Sequence, residues 1–454
     1  MEKKPFFDKI HMEIPSEVKY AVTRLKKAGF NAYPVGGCVR DILLGRVPND
    51  WDITTSAKPE ETIEVFKADT VIETGLKHGT VTLLKDDTMT EITTFRVDGE
   101  YIDFRHPDQV IFTESIEEDL ARRDFTVNAM AMDIEEGRII DPYGGKKDIQ
   151  QGIIRCVGDA ELRFKEDSLR ILRALRFASV YGMDIEEKTA LALIRHRNSL
   201  VNISVERIRS EMDRLLTGMD AALILKEYQR VFQVIIPEIE PMVGFDQKNV
   251  HHIYDVWQHT LKVIDNSPEN RIIRWAALFH DMGKPDCFFL GEDGQGHFYG
   301  HGERSAEIAS AIMNRLKFDN ATKRTIKELV YHHDEVLSPS RKSVKRRLSN
   351  MGEENLRRMI ALAEADNMGQ NPRYRDRLQN LSQVRDTLNQ IIADSECFTL
   401  KDLKVDGRDM ISLGYKGREI GQILSELLEQ VIEENTENER DRLLEKARQR
   451  KKKL

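Results

Sequence analysis

Residues 35–53 read Val-Gly-Gly-Cys-Val-Arg-Asp-Ile-Leu-Leu-Gly-Arg-Val-Pro-Asn-Asp-Trp-Asp-Ile, and the fold of the N-terminal third follows from them. The apolar run Ala32 to Val35 reads as a strand that ends in the Gly36-Gly37 turn. Val39 to Leu44 reads as a short helix stopped by Gly45. Asp50-Trp51-Asp52-Ile53 then reads as a second strand, in which Asp50 and Asp52 share one face while Trp51 and Ile53 share the other and enter the core. Two carboxylates on one face suit a divalent cation, and a Gly-Gly turn lets a triphosphate approach the backbone closely. Alone, an Asp-x-Asp is usually a solvated strand edge and a Gly-Gly usually a plain turn. Joined by a twelve-residue helical spacer, with apolar residues flanking the acids, they point to nucleotidyl transfer.

Around this stretch the chain predicts an α/β unit and then helices. Residues 15–28 form an amphipathic helix, with Pro15 in its first turn, Val18, Val22 and Leu25 on one face, and Gly29 as its stop. Lys58 to Phe66 reads as another helix. Gly79 to Leu84 and Thr90 to Phe95 alternate around a Lys85-Asp86-Asp87 turn, a hairpin pattern that puts Glu91 on the second strand as a third acid facing the aspartates. Residues 97–113 are polar, aromatic and Pro-containing, which suits a mobile loop beside a site. Asp141-Pro142-Tyr143-Gly144-Gly145 closes the unit as a turn, and Ala160 to Leu216 is helical in pattern. No internal repeat is evident.

A chain of 454 residues holds roughly two to four domains. Its 40% hydrophobic and 32% charged content suits a soluble, helix-rich protein. No run of about 18 apolar residues predicts a membrane span, and Met1-Glu2-Lys3-Lys4-Pro5 lacks an apolar signal core, so a cytoplasmic location is expected. Cys38, Cys156, Cys287 and Cys397 are scattered, against both a disulfide framework and a cysteine zinc site. The net charge of -8 makes no global case for a nucleic-acid partner. Local basic patches at Arg341 to Arg347, Arg373 to Arg377 and Arg448 to Lys453 are as compatible with solvated helix faces as with RNA.

Gly36-Gly37 to Asp52 resembles the nucleotidyltransferase superfamily signature, and Gly-Gly-Cys-Val-Arg-Asp resembles its tRNA nucleotidyltransferase and poly(A) polymerase family. With Glu91, the block Arg122 to Asn128, the block Glu166 to Arg170 and the stretch Asp406 to Gly421, the order and spacing are similar to those of bacterial class II CCA-adding enzymes over nearly the whole chain. The resemblance implies an α/β head with a small mixed sheet (1–153), then an all-α neck (154–216), body (217–395) and tail (396–454), with body and tail gripping the tRNA acceptor arm. It also implies CTP and ATP as substrates. No obligate protein partner is evident.

Nucleotidyl transfer needs an activated 3′-hydroxyl, an in-line α-phosphate and neutralised charge on the leaving pyrophosphate, which two Mg²⁺ ions supply. Asp50 and Asp52 are the expected metal ligands, Glu91 the third acid, and Arg40, near the Gly turn, a triphosphate ligand. Gly36 and Gly37 form the turn itself. By resemblance, Arg123, Asp124 and Asn128 contact the phosphates or ribose of the incoming nucleotide. Asp167 and Arg170, three apart, are expected on one helix face. A carboxylate accepts from the exocyclic amino group shared by cytosine and adenine while an Arg donates to the ring nitrogen beside it. Uracil and guanine reverse that pattern and leave buried groups unpaired. Glu-Asp-x-x-Arg alone is usually a surface salt bridge; behind the head motifs it resembles the family's base-selecting element. Arg173 and Arg176 continue the face toward phosphate.

Most of the twelve histidines cluster between 251 and 333. His259, His280-Asp281, His301, His332 or His333 (with His332 preferred) and Asp366 form an ordered set that resembles an HD-superfamily phosphohydrolase, over about 245–370. Mixed imidazole and carboxylate ligands suit Mn, Fe, Co, Ni or Zn rather than Mg alone. The expected function is template-independent addition of C, C and A to tRNA 3′ ends, with a phosphohydrolase as companion. The alternatives are an A-adding enzyme or poly(A) polymerase, and a signalling protein that uridylylates a partner. The 97–113 loop resembles one that CC-adding enzymes lack, and Glu166 to Arg170 speaks against the signalling protein.

Overall fold

The computed structural model describes residues 14–86, 88–99, 110–375 and 377–452. The chain forms two compact units, residues 1–237 and 238–454. Most of the 97–113 loop, the Asp87 of the hairpin turn and the extreme N-terminus lie outside the described residues.

In the first unit the order is α1 (Ser16–Lys27), β1 (Ala32–Pro34), α2 (Gly37–Leu43), β2 (Asp52–Thr55), α3 (Pro59–Val65), β3 (Thr70–Ile72), β4 (Thr80–Lys85) and β5 (Thr88–Thr94). The five strands make one mixed sheet in the order β1-β2-β5-β4-β3, in which β2 and β5 run parallel and the other neighbours antiparallel. Val18, Val22 and Leu25 of α1 are fully buried against Ile53, Leu83, Ile92 and Phe66. Burying each such side chain contributes about 1.5–3 kcal/mol, so this face pins α1 to the sheet and leaves its other face to the acids. β2 begins at Asp52 rather than Asp50, so Asp50 precedes the strand instead of sharing it. The alternation survives at the next position, where Ile53 is fully buried and Asp52 exposed at the strand end.

Two short hairpins follow, β6 (Arg96–Asp98) with β7 (Val110–Phe112), and, after α4 (Ile116–Ala121), β8 (Ala131–Asp133) with β9 (Arg138–Ile140). A 3-10 turn at Thr126–Asn128 precedes β8, and α5 (Gly145–Gln151) packs on it. A Cβ on Gly145 would lie 2.2 Å from the Thr126 carbonyl oxygen, so only glycine permits this approach. After β10 (Ile153–Ile154), the helices α6 (Ala160–Glu166) and α7 (Leu169–Tyr181) lead through β11 (Asp184–Ile185) and α8 (Glu187–His196) to α9 (Val205–Leu216). α10 (Ala221–Glu227) and α11 (Gln229–Ile235) complete the unit.

The second unit is helical: α12 (Val256–Asn266), α13 (Arg271–Phe279), α14 (Lys284–Cys287), α15 (His301–Arg315), α16 (Asn320–Tyr331), α17 (Arg341–Gly369) and α18 (Arg377–Ala393). A two-stranded hairpin, β12 (Phe289–Leu290) with β13 (Gly296–His297), interrupts it between α14 and α15. α17 is broken at Gly352, whose φ of 77° leaves the helical region. α19 (Gly407–Ser412), α20 (Arg418–Ile432) and α21 (Arg440–Lys451) enclose a small core of their own around Met410, Leu427 and Leu443.

Candidate active site

A cleft of about 360 Å³ in the first unit is lined by Gly36, Gly37, Arg40, Asp52, Arg122, Arg123, Asp124, Asn128, Asp167, Arg170, Arg173 and Phe177. Residues separated by up to 141 positions thus share one wall. The Gly36 turn (φ 77°) brings the chain so close to Arg123 that a Cβ there would lie 2.8 Å from its Nη1. Arg40 reaches from α2 and donates to Asn128 Oδ1 at 2.6 Å. Asn128 Nδ2 donates to Asp124 Oδ1 at 3.0 Å, and Arg173 Nε donates to Asp124 Oδ2 at 2.7 Å. The guanidinium of Arg40 also stacks over Tyr181, 4.6 Å from its ring centre. Burial pushes the Asp124 carboxyl up, but Arg173 and Asn128 hold it well below the usual carboxylate range.

Of the three expected acids Asp52 lines this cleft, and Asp50 and Glu91 lie outside its lining. Asp52 pairs in parallel register with Glu91 on the adjacent strand, which sets the two side by side. Although Asp52 stands accessible at the strand end, the protein atoms around the cleft keep part of the water from it: its carboxyl is raised above its ordinary value, first by this desolvation and then by the negative charge of Glu91, with Asp50 adding to it and Arg123 opposing it. Asp52 thus feels the negative charge of both neighbours, which a divalent cation would relieve; the oxygens of the three acids do not converge as closely as the ligand atoms of the second unit's cluster do.

Asp119, which sequence reasoning passed over, organises the arginines. It is fully buried and accepts from Arg122 Nε at 2.9 Å, Arg123 Nη2 at 3.4 Å, Thr54 Oγ1 at 3.1 Å and the Arg96 amide at 3.3 Å. Burial raises its carboxyl, but Arg122 and Arg123 outweigh that and lower it. Its signal in the sequence was an acid three and four positions before two arginines on a helix end. Arg122 and Phe177 also line the cleft unpredicted, although Arg122 stood in the block quoted above.

Asp167 and Arg170 both face the cleft but do not share a helix face. Asp167 lies between α6 and α7 with an extended backbone (φ -138°, ψ 104°), because its Oδ1 accepts from the Leu169 amide and so starts α7. Its Oδ2 accepts from Arg207 Nη2 of α9 at 2.9 Å. Arg170, from the first turn of α7, pairs with Glu166 Oε2 at 2.6 Å and donates to the Arg122 carbonyl. Arg176 does not line the cleft: it lies behind Phe177, 4.0 Å from that ring, and pairs with Glu211 of α9 at 2.9 Å. Burial pulls its guanidinium down to about 10.

The second unit holds a separate cluster. His259 Nε2 lies 2.9 Å from Asp366 Oδ1, 3.4 Å from Asp281 Oδ2 and 3.3 Å from His280 Nε2. His301 and His333 approach the other oxygen, Asp281 Oδ1, at 3.5 and 3.6 Å, with their Nε2 atoms 3.2 Å apart. The groups close enough to hold an ion are thus His259 with His280 and Asp281, and Asp281 with His301 and His333. His332 is not among them. It is held by Glu335, three positions on, while the next side chain along the chain, His333, turns inward and is 3% exposed. Neither Asp281 oxygen has a well-formed hydrogen bond, although Lys284 Nζ stands 2.7 Å from Oδ2. A buried carboxylate ringed by imidazoles, with both oxygens short of hydrogen bonds, fits a divalent cation. Burial lowers His301 to about 4, which keeps it a neutral donor at neutral pH.

Together, a Gly-Gly turn, carboxylates on neighbouring parallel strands and an arginine-lined cleft define a nucleotidyltransferase head. The Poly A polymerase head domain family matches residues 32–155, the RNA and SrmB-binding site of polymerase A matches 182–243, and tRNA nucleotidyltransferase domain 2 matches 302–447. The CCA-adding enzyme of Lactobacillus delbrueckii subsp. bulgaricus is 35% identical over 429 residues, covering 94% of this chain and 96% of that protein. The CCA-adding enzyme of Geobacillus stearothermophilus is 50% identical over 204 residues, 45% of this chain and 50% of that protein. The crystal structure of the Bacillus stearothermophilus CCA-adding enzyme in complex with CTP superposes with a TM-score of 0.67 at 29% identity, over 98% of this chain and all of that one. The chain belongs to the CCA-adding enzyme family.

Proposed function

We propose that the head cleft adds C, C and A to the 3′ end of tRNA, from CTP and ATP, without a nucleic-acid template. The observation that carries this is the cleft itself, which gathers the Gly-Gly turn, Asp52, Arg123, Asp124, Asn128, Asp167 and Arg170 at one place. Bound Mg²⁺ supplies the charge that activates the hydroxyl and neutralises the leaving pyrophosphate. Asp50 and Asp52 hold it, with Glu91 beside Asp52 as the third acid. Arg40 and Arg123 flank the Gly turn and bind the triphosphate, and Asp124 and Asn128 orient the ribose. Asp167 and Arg170 read the base once they exchange Arg207 and Glu166 for the nucleotide. No described helix is long and apolar enough to cross a membrane, and we place this activity in the cytoplasm.

The test uses tRNA transcripts ending at the discriminator base, at -C and at -CC, each with labelled CTP, ATP, UTP or GTP. The expected outcome is ordered addition of C, C and A that then stops. Addition of A alone, and only to the -CC transcript, would replace this reading with an A-adding enzyme.

The buried cluster of the second unit supports a second activity, an HD-type phosphohydrolase, because both faces of Asp281 meet imidazoles. With Mn, Fe, Co, Ni or Zn bound, the metal would supply a polarised water. That water would be the nucleophile toward a phosphoester, the ester oxygen leaving with a proton from it. His259, His280, Asp281, Asp366, His301 and His333 hold the metal, and a damaged RNA end is a substrate of the right chemistry.

A further inference from the structure

Arg40 is held in the head cleft by more than its bond to Asn128, and part of its support comes from a tyrosine outside the cleft lining. A guanidinium has five N–H donors. Arg40 Nε and Nη2 donate to Asp41 Oδ1 at 2.9 and 2.8 Å, and Nη1 donates to Asn128 Oδ1 at 2.6 Å. Among the described residues this leaves one N–H on each terminal nitrogen without an acceptor. These stand beside the Gly turn, since a Cβ on Gly37 would lie 3.6 Å from Nη2. Arg40 is buried and lines the cleft, so the cleft is where the two hydrogens can be met.

Tyr181, the last residue of α7, completes the support. Its hydroxyl donates to the same Asp41 oxygen at 3.1 Å, and its ring centre lies 4.6 Å from the Arg40 guanidinium carbon. Phe177, one turn back, stacks on that ring at 5.9 Å and 23° and meets Arg40 at 5.1 Å. Arg46, just past α2, lies 4.8 Å from the Tyr181 ring centre. The ring thus sets the plane of the guanidinium by a cation–π contact, while the hydroxyl fixes the carboxylate that guanidinium leans on. Each rotamer that Arg40 regained without them would point its remaining hydrogens away from a phosphate.

We propose that Tyr181 is a positioning residue for the triphosphate: through Asp41 and its own ring it holds Arg40 so that the two remaining N–H groups meet phosphate oxygens. The inference rests on the CCA-adding reading of the cleft and deepens it. α7 then carries a base-reading arginine, Arg170, in its first turn and the support of a phosphate-binding arginine in its last. Because Tyr181 acts through Arg40, its contribution is the same for CTP and ATP.

The test measures binding of CTP and ATP to the full chain with Mg²⁺ by calorimetry, with CMP as a competitor. It also measures addition to tRNA transcripts ending at the discriminator base and at -CC. Arg40→Gln should weaken CTP binding. Tyr181→Leu should weaken CTP and ATP about tenfold each, leave CMP unchanged and raise the nucleotide KM, with the choice among bases unaltered. Tyr181→Phe, which keeps the ring, should lose only about threefold. In the Arg40→Gln background Tyr181→Leu should add nothing, because both changes remove one interaction. CMP weakened as much as CTP, or losses that multiply in the double variant, overturns the proposal and makes Tyr181 a packing residue. So does an Arg40→Gln chain that binds CTP as wild type does. If Tyr181→Leu does not fold by circular dichroism, Tyr181→Phe and Asp41→Asn carry the same comparison of CTP with CMP. A wild type that binds CTP with this dependence on Tyr181 but extends no tRNA keeps the positioning role and removes the CCA-adding reading. One that extends tRNA while the Tyr181 variants bind CTP normally does the reverse. No CTP binding by wild type overturns both.

Discussion

At the scale of the residue, charge is organised by a few carboxylates. Asp119 is the clearest case: one buried side chain meets two guanidiniums, a hydroxyl and an amide. Its replacement by Ala leaves two arginines without their buried partner, and breaking such a pair costs about 3–5 kcal/mol. A urea titration of Asp119→Ala should show that loss, and CTP binding should weaken because Arg123 is no longer aimed past Gly36. Asp124 makes a pH-dependent contribution. Its native carboxyl is depressed, so the stability it adds is present above the ordinary Asp pKa of about 4 and is lost as pH falls toward the native value. Arg173→Gln should therefore reduce stability at pH 7 by about 1–3 kcal/mol, discounted because Arg173 is partly exposed. The gap from wild type should close as pH falls below 4 in a series of denaturation curves. For Asp167→Ala, base choice should loosen more than triphosphate affinity falls. Unchanged discrimination among the four nucleotides would remove the base-reading role.

At the scale of the element, the cleft depends on how short pieces lean on one another. The Thr126–Asn128 turn carries Asn128 toward Arg40, and α5 lies against that turn with no room for a Cβ at Gly145. Gly145→Ala must move either α5 or the turn. We expect roughly tenfold weaker CTP binding with the far-ultraviolet circular dichroism little changed, the scale expected when one charge-assisted hydrogen bond of about 1.5 kcal/mol is displaced. The α6–α7 junction follows the same logic. Spacing alone put Asp167 on the α7 face, but an Asp two residues before a helix competes for its first amide hydrogen, and here its Oδ1 takes the Leu169 amide while its backbone stays extended. That competition is why its position was legible as a motif and misread as geometry.

At the scale of the whole molecule, two units each carry a site built from its own residues. The activities should therefore separate. Asp52→Ala should abolish nucleotide addition and leave Mn²⁺-dependent phosphoester hydrolysis intact, and Asp281→Asn should do the reverse. Loss of both in either variant would show that the sites are coupled. Removal of the transition metal by a chelator, followed by Mg²⁺ alone, should restore addition and not hydrolysis.

Much was legible before any coordinates. The 3.6-residue period of Val18, Val22 and Leu25, the Gly-Gly turn and the alternation of β5 follow from local sterics and from which side chains water rejects, and these are properties of neighbouring residues. The histidines could be ordered along the chain for the same reason. Tertiary structure decided what depends on distance through space: Asp50 left ahead of the strand, Asp119 beneath both arginines, Arg207 on Asp167, and the inward turn of His333 in place of His332. In the last three, the partner lies on a separate element or on the far side of a helix end. Low-dielectric burial, and not spacing, then determines which charge must be met.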